Sequence, residues 1–284
     1  MYIHWFPGHM TKALREMESS AAKVDCLIYV LDARIPLSSV NPAYESLFGN
    51  KPRLYILNKS DLVPQTEIAQ WKQYFSGTQS ACLITSSTGK RDTKIILAEL
   101  RKLVAPVLEK YKMKGVRKTV RAMVIGIPNC GKSTFVNSLL PNKRATTGNK
   151  PGVTRGQQWV SVDNYIELLD TPGTLYPDFS DQKKAINLAI VGSIKDTLVD
   201  NVELAMEILS FLMREHSDVF LNKFSISDAA NLETEDLLKE IALKRKYILR
   251  GNEPDTERAA MAIIQDFRKG SYGKIILEHY ENNG

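Results

Sequence analysis

The segment Gly126-Ile-Pro-Asn-Cys-Gly-Lys-Ser133 decides the fold, because it matches the pattern G-x-x-x-x-G-K-[ST] in full. It directly follows the β-rich run Ala122–Ile125 and precedes a stretch of helical spacing, Thr134–Leu140. In this context the glycines let backbone N–H groups surround phosphate oxygens at a helix N-terminus. Lys132 is expected to reach the β- and γ-phosphate oxygens, and Ser133 to offer its hydroxyl to Mg²⁺. We therefore predict a phosphate-binding loop.

Short apolar runs on both sides of this loop predict a mostly parallel β-sheet with flanking helices. They alternate with stretches of helical length, as in α/β folds with crossover helices. The last two runs are separated by Asp163-Asn164, which suits a tight turn between antiparallel strands. The predicted strands are Cys26–Leu31, Arg53–Leu57, Ala81–Ile84, Ala122–Ile125, Gln157–Val162 and Tyr165–Leu169.

The β pattern ends near Pro177, which predicts a second domain. Apolar residues then recur at helical spacing, for example in Val202–Met213 and Glu233–Ile248. We expect an α/β nucleotide domain at residues 1–177 and a smaller all-helical domain at residues 178–284.

Two segments downstream of the phosphate-binding loop fit the same site. Asp170-Thr-Pro-Gly173 follows the last predicted strand, where a carboxylate can hold a magnesium-bound water and a glycine amide can face a γ-phosphate. Pro151-Gly-Val-Thr154 offers a hydroxyl in a glycine-flanked loop that can close over Mg²⁺. We interpret it as a switch loop. The predicted Mg²⁺ ligands are Ser133, Thr154 and Asp170.

Base specificity is predicted by Asn58-Lys-Ser-Asp61, at the end of the second strand. A carboxylate at Asp61 can accept from both N1–H and N2–H of guanine, whereas adenine has an acceptor at N1 and no N2 group. Asn58 would brace the loops and Lys59 would cover the base or ribose. Ser86 and Ser87, in a Ser/Gly-rich loop after the next strand, are placed to donate backbone N–H groups to guanine O6, although such loops are individually weak signals.

Together these segments are the elements of a GTPase that binds GTP and GDP, but their order is unusual. The base-reading segment precedes the phosphate-binding loop, so the domain is predicted to be a circularly permuted P-loop GTPase. The residues expected to contact the nucleotide are Asn58, Lys59, Asp61, Ser86, Ser87, Asn129, Cys130, Gly131, Lys132, Ser133, Thr134 and Gly173.

The chain resembles the YlqF/RbgA family of circularly permuted GTPases over nearly its whole length. Besides the permuted order, the resemblance rests on Trp5-Phe-Pro-Gly-His-Met10, Asp32-Ala-Arg-Ile-Pro36 and Asp266-Phe-Arg268 with Gly270 and Gly273. It implies a helical C-terminal domain that binds RNA and a role in late maturation of the large (50S) ribosomal subunit. The implied partners are rRNA and proteins of the large-subunit precursor.

The catalytic residues are less clearly defined by the sequence. Many GTPases place a water-orienting glutamine just after D-x-x-G, but here Thr174 and Leu175 follow. The resemblance implicates His9 in hydrolysis, and a neutral imidazole can orient water, although His9 can equally pack or cap near the first helix. We expect His9, Lys132, Thr154 and Gly173 to serve catalysis, with slow intrinsic hydrolysis that the ribosomal particle accelerates.

A potassium ion is also expected at the nucleotide phosphates. Asn129 matches the asparagine with which potassium-activated GTPases hold a monovalent cation, which could supply the positive charge that an arginine finger provides elsewhere. The alternative is that Asn129 braces the loop. Cys130 is interpreted as a small loop filler rather than a redox switch.

Composition and charge agree with a cytoplasmic, monomeric protein outside the membrane. Apolar residues make up 43% and charged residues 25% of the 284 residues, three cysteines are scattered, and no apolar run is long enough to cross a bilayer. Residues 1–180 carry 24 Lys and Arg against 14 Asp and Glu, which favours polyanionic partners. The basic groups considered for RNA are Lys110–Arg121, Lys244–Arg250 (placed on a helix), and Lys143, Arg144, Lys150 and Arg155.

Two other functions compete with a GTPase switch. An RNA-binding assembly scaffold could hold GTP structurally with negligible hydrolysis. An ATPase or small-molecule kinase could share the phosphate-binding loop, but Asn58-Lys-Ser-Asp61 disfavours it.

Overall fold

The structure is a computed structural model that describes residues 1–3, 8–86, 90–140, 158–162, 165–175, 179–226 and 232–280. Its strands are β1 Cys26–Asp32, β2 Arg53–Asn58, β3 Ser80–Ile84, β4 Val120–Ile125, β5 Gln158–Ser161 and β6 Ile166–Asp170. Its helices are α1 Gly8–Ala21, α2 Ala43–Phe48, α3 Gln65–Tyr74, α4 Lys90–Lys112, α5 Lys132–Leu139, α6 Gln182–Ile190, α7 Asn201–Glu215, α8 Ser217–Phe224, α9 Thr234–Lys244 and α10 Thr256–Arg268.

The described strands form one six-stranded sheet in the order β3-β2-β1-β4-β6-β5. All neighbours are parallel except β5 and β6, which are antiparallel. The six predicted strands and the antiparallel pair are therefore confirmed. The turn at 163–164 and position 157 lie outside the described residues.

Burial explains why these segments form strands. All seven residues of β1 are buried, as expected for a central parallel strand that is covered on both faces. Tyr29 stacks on Tyr55 with ring centroids 5.7 Å apart, and Trp71 of α3 joins the same core. A sheet with flanking helices, followed by further helices, confirms the predicted fold class.

The chain forms two compact units. The nucleotide unit comprises Trp5–Asp178 and Ile276–Gly284, and the helical unit comprises Met1–His4 and Phe179–Ile275. The division into domains at residues 1–177 and 178–284 remains a prediction. In the helical unit, Ile3 is buried and its N–H donates to Gln182 Oε1 at 2.8 Å.

In the helical unit, Arg268 at the end of α10 joins that helix to the end of α6 and to Asp196. Arg268 donates from Nε to the carbonyl of Ile190 at 2.9 Å and from Nη2 to that of Ala189 at 2.8 Å. It also pairs with Asp196 at 2.7 Å. The guanidinium therefore satisfies carbonyls at the C-terminus of α6, which have no partner within the helix.

The prediction that Lys244–Arg250 lies on a helix is wrong. Helix α9 ends at Lys244, and Lys246 adopts a left-handed φ of 58°. The N–H of Tyr247 donates to the Ala242 carbonyl at 2.8 Å, as in a helix-terminating turn. The apolar residues that extended the helical pattern, Ile248 and Leu249, are exposed.

No helix within the described ranges has both the length and the apolar character needed to cross a bilayer. The three cysteines are buried free thiols.

Candidate nucleotide site

The predicted motifs lie at the carboxyl ends of neighbouring strands. Asn58 ends β2 and pairs in register with Asp32 at the end of β1, while Asp170 ends β6 opposite Val124 of β4. Because the carboxyl ends of parallel strands meet at one edge of a sheet, the loops that follow them surround a common region.

A buried asparagine joins the base-reading segment to the phosphate-binding loop. Asn58 is 2% exposed, and its Nδ2 donates to the carbonyl of Cys130 at 2.7 Å. Gly131 has a left-handed φ of 96°, and a Cβ there would lie 2.3 Å from Asn58 Nδ2. Only glycine therefore allows this close approach without displacing the asparagine.

Lys59 is held by an ion cluster that sequence reasoning missed. Its Nζ lies 2.7 Å from Asp32 Oδ2, and Arg34 forks onto the same carboxylate with contacts of 2.9 and 2.7 Å. Burial alone would raise the pKa of Asp32, but Arg34 and Lys59 outweigh burial and hold that pKa below its usual range. The sequence does contain a signal for this cluster. Asp32 is the single charged residue of an otherwise apolar strand, and it lies in register with Asn58 at the end of the neighbouring strand.

Lys132 and Ser133 of the phosphate-binding loop lie beside Asp170, at the end of β6. Lys132 is buried and its Nζ donates to the Ile127 carbonyl at 3.1 Å. Asp170 lies beside Lys132 and accepts a hydrogen bond from Ser133. Among the described residues, the buried Oδ1 of Asp170 has no hydrogen-bond partner. An orphaned carboxylate oxygen next to a hydroxyl is a donor set that Mg²⁺ prefers.

The Asp170-Thr-Pro-Gly173 loop packs directly on the phosphate-binding loop. A Cβ at Gly173 would lie 2.7 Å from backbone atoms of Pro128 and 2.8 Å from Lys132 Nζ, so any larger residue would collide. Thr171 Oγ1 donates to the Val124 carbonyl at 2.7 Å, and the Thr174 N–H donates to the Gly126 carbonyl at 3.3 Å. These contacts hold Gly173 against Pro128 and Lys132 of the phosphate-binding loop.

Thr174 faces the protein core. It is buried, and its hydroxyl hydrogen-bonds to that of Tyr44. Asn41, three positions before Tyr44, donates from Nδ2 to the Leu175 carbonyl at 3.2 Å. Neither Asn41 nor Tyr44 belongs to a predicted motif, and no local pattern identifies them.

The loop after β2, which carries Asp61, is hydrogen-bonded to the loop after β3, which carries Ser86. The Ser60 N–H donates to the Thr85 carbonyl at 3.3 Å, and the Thr85 N–H donates to the Leu57 carbonyl at 3.0 Å. Asp61 is exposed and Ser86 is partly exposed beside this junction. These hydrogen bonds hold the loop that carries Asp61 next to the loop that carries Ser86.

Of the remaining residues predicted for the site, the structure describes some and leaves out others. Thr154 and Ser87 lie outside the described residues, and so does the side chain of His9 on α1. Asn129 has a left-handed φ of 59°. Cys130 is fully buried and burial raises the pKa of its thiol, which suits a packing role better than a reactive one. Thr134, on the first turn of α5, is exposed.

Replacing the orphaned carboxylate should stabilise the nucleotide-free protein. Burial raises the pKa of Asp170, with Lys132 opposing the shift, so its ionised form costs folding free energy at neutral pH. We expect Asp170→Asn to raise the free energy of unfolding by about 1 kcal/mol at pH 7, measured by urea denaturation without nucleotide.

The gain should shrink as the pH falls through the raised pKa of folded Asp170 and should be gone below the ordinary Asp value, where the carboxyl is protonated in both the folded and the unfolded chain. A lower free energy of unfolding for Asp170→Asn than for the unsubstituted protein at pH 7 would contradict this interpretation of Asp170. It would mean that the attraction between Asp170 and Lys132 outweighs the cost of burying the carboxylate.

Comparison with known proteins agrees with this geometry. A family model described as a 50S ribosome-binding GTPase matches residues 121–249, from β4 onward. The base-reading strand β2 precedes that match, as the permuted order requires. Two solved structures of YlqF, one GDP-bound and one GNP-bound from T. maritima, superpose with TM-scores of 0.67 and 0.66. They are 23% identical, cover 94% of this chain and are covered over 100% and 98% of their own length, which shows the shared fold.

Two curated relatives are similar over almost the whole chain. The ribosome biogenesis GTPase A of Bacillus licheniformis is 37% identical over 283 residues, covering 99% of this chain and 100% of its own. The mitochondrial ribosome-associated GTPase 1 of Mus musculus is 34% identical and covers 96% of this chain and 89% of its own. With the permuted sheet and the joined loops, these similarities show that the chain belongs to the ribosome biogenesis GTPase A (YlqF/RbgA) family of GTPases.

Proposed function

We propose that this GTPase is a cytoplasmic Mg²⁺-dependent switch that acts late in assembly of the large (50S) ribosomal subunit and binds the RNA of the precursor in its GTP state. The observation that supports the nucleotide part is the hydrogen bond from Asn58 to the Cys130 carbonyl, which joins the segment that carries Asp61 to the phosphate-binding loop. The names of the relatives support the ribosomal part.

The proposed site assigns one role to each group around the nucleotide. Asp61 reads guanine, and Lys59, held by Asp32, covers the base or ribose. Lys132 contacts phosphate oxygens, and Gly173 senses the γ-phosphate. Mg²⁺, held by Ser133 and Asp170 with Thr154 as a further ligand, neutralises charge on those oxygens when it is bound. Asn129 holds K⁺ in this proposal.

Hydrolysis needs a group that orients water, and neither Thr174 nor Leu175, the described residues that follow Gly173, supplies one. The Thr174 hydroxyl is hydrogen-bonded to Tyr44 in the core. We therefore assign water orientation to His9, at the start of α1, and expect its placement to be completed on the ribosomal particle. We therefore expect slow hydrolysis by the free protein and faster hydrolysis on docking.

Single-turnover hydrolysis of GTP tests this function against a scaffold that holds GTP without using it. We expect large subunits to accelerate the reaction at least about tenfold in K⁺ buffer, with less acceleration when Na⁺ replaces K⁺. His9→Ala should lose the acceleration, whereas His216→Ala, a histidine that contacts Phe211 in the helical unit, should keep it. Equal rates with and without subunits would favour the scaffold.

Guanine selectivity tests the base-reading assignment. Asp61→Asn replaces an acceptor by a side chain that can donate to the oxygen on C2 of xanthine, so preference should move from GDP toward xanthosine diphosphate. We expect a loss of GDP affinity of about a hundredfold or more, measured by calorimetry with both nucleotides. Glu67→Gln, on α3, is the control. Unchanged selectivity would contradict the assignment.

An exposed group of aromatic and basic side chains supports RNA binding by the nucleotide unit. Trp159 on the edge strand β5 is 40% exposed, and Tyr165 before β6 is 47% exposed. The guanidinium of Arg121 lies 5.1 Å from the Trp159 ring centre, and that of Arg117 lies 4.9 Å from the Tyr165 ring centre. Cations beside accessible ring faces are what unpaired bases and their phosphates require.

The adjoining connector adds positive charge. Helix α4 ends at Lys112 and β4 begins at Val120, so the residues between them form the connector itself. The segment 110–121 has six basic and no acidic residues, namely Lys110, Lys112, Lys114, Arg117, Lys118 and Arg121. Lys118 and Arg121 also form ion pairs with Asp25 and Glu167, at 2.9 and 3.1 Å. Of the other basic groups, residues 143–155 lie outside the described residues, and Arg245 is paired with Asp266.

Removing the two ring faces should weaken binding to single-stranded RNA. We expect the double variant Trp159→Leu, Tyr165→Leu to lose about tenfold or more in affinity, since stacking contributes about 1–3 kcal/mol per base. Fluorescence anisotropy with a short unstructured RNA and a GTP analogue measures this. Tyr74→Leu, an exposed tyrosine on α3, should bind normally. Equal RNA affinity of the double variant, or capture of an acidic peptide instead, would contradict this surface as an RNA site.

A further inference from the structure

The last described residues of the chain bind back onto the nucleotide unit. We call residues 276–280 the C-terminal strap. Ile276 is 1% exposed in the core of that unit, and the Leu277 N–H donates to the Arg34 carbonyl at 2.8 Å. Trp71 donates from Nε1 to the Glu278 carbonyl at 3.1 Å, and its ring meets Tyr280 edge to face at 5.5 Å. The strap is therefore a fixed part of the nucleotide unit.

Within the strap, the Glu278 carboxylate binds the loop between β1 and α2 (residues 33–42, the β1–α2 loop). Oε2 accepts from the Leu37 N–H at 2.7 Å, and Oε1 accepts from the Ser38 N–H at 3.1 Å. The Ser38 hydroxyl also hydrogen-bonds to Oε1. A carboxylate on two backbone N–H groups and a hydroxyl makes charge-assisted bonds, which are stronger than neutral ones.

The β1–α2 loop in turn sets the position of Lys59. The carbonyl of Arg34, the second residue of the loop, accepts the hydrogen bond from Leu277 of the strap. The Arg34 guanidinium donates two hydrogen bonds to the Asp32 carboxylate. Asp32, fully buried, holds Lys59 Nζ at 2.7 Å. The Asp32 carboxylate is thus paired with both Arg34 and Lys59, so the position of each of these side chains depends on the position of the other.

The other end of the same loop reaches the phosphate side. Asn41 binds the Leu175 carbonyl, and Tyr44, just beyond the loop, binds the Thr174 hydroxyl. Thr174 directly follows Gly173. The loop that Glu278 binds therefore contacts Asp32, the partner of Lys59, through Arg34, and the segment just after Gly173 through Asn41.

We propose that Glu278 is a positioning residue for the guanine nucleotide. By fixing the β1–α2 loop it keeps the Arg34–Asp32 pair in the geometry that places Lys59 over the base or ribose, although Glu278 does not contact the nucleotide. This inference rests on the proposed guanine-reading role of Asn58-Lys-Ser-Asp61.

Nucleotide affinity and kinetics test the role of Glu278. We expect Glu278→Ala to weaken GDP binding about tenfold and to raise KM for GTP with kcat unchanged, because substrate binding and not the chemical step is affected. Glu278→Gln keeps a carbonyl acceptor and should lose about threefold. Glu67→Ala removes the contact of the strap with α3 through His279 and should bind GDP normally. Normal GDP affinity of Glu278→Ala, or a fall in kcat at unchanged KM, would overturn the proposal.

A double-mutant cycle with Lys59→Met separates positioning from general destabilisation. If Glu278 acts through Lys59, Glu278→Ala should have little further effect on GDP affinity in the Lys59→Met background. Fully additive losses would overturn the proposal, and they would do so even if Asp61→Asn changed base selectivity as expected. Failure of the Asp61→Asn test would instead remove the proposed function on which this role depends.

Discussion

The structure of the nucleotide site depends on one buried hydrogen bond, from Asn58 Nδ2 to the carbonyl of Cys130. It joins segments 72 residues apart in sequence, at the ends of β2 and β4. Because β1 lies between those strands, the two loops must meet across its end, where Asp32 is buried. An unpaired amide in this position would cost about 1–3 kcal/mol, so the bond also fixes the spacing of the two loops.

Circular permutation changes which parts of the nucleotide unit adjoin the chain ends. The chain leaves this unit after the Asp170-Thr-Pro-Gly173 loop and returns at Ile276. Near both junctions a residue of the nucleotide unit is hydrogen-bonded to the β1–α2 loop: the Leu175 carbonyl binds Asn41, and the Leu277 N–H binds the Arg34 carbonyl. The residues of the nucleotide unit that flank both junctions therefore contact the same loop, which we propose to set the position of Lys59.

Much of the fold follows from local sequence, because central parallel strands are continuous apolar runs and their loops carry short motifs. The strands and the places of Asn58 and Lys132 could be predicted for this reason. The end of α9 at Lys244 could not, because the apolar residues beyond it continue the helical spacing although they are exposed. The contacts of Asp32 with Lys59 and of Glu278 with Ser38 join residues 27 and 240 positions apart, and no local pattern specifies such pairs.

The central claim is that one nucleotide contacts both the base-reading segment and the phosphate-binding loop. A crystal structure of the protein with GDP and Mg²⁺ tests it most directly. The account predicts that the Asp61 carboxylate lies about 3 Å from guanine N1 and N2, and that Lys132 Nζ lies about 3 Å from a β-phosphate oxygen of the same molecule. A GDP molecule that contacts Lys132 while its base lies away from Asp61 would contradict the account.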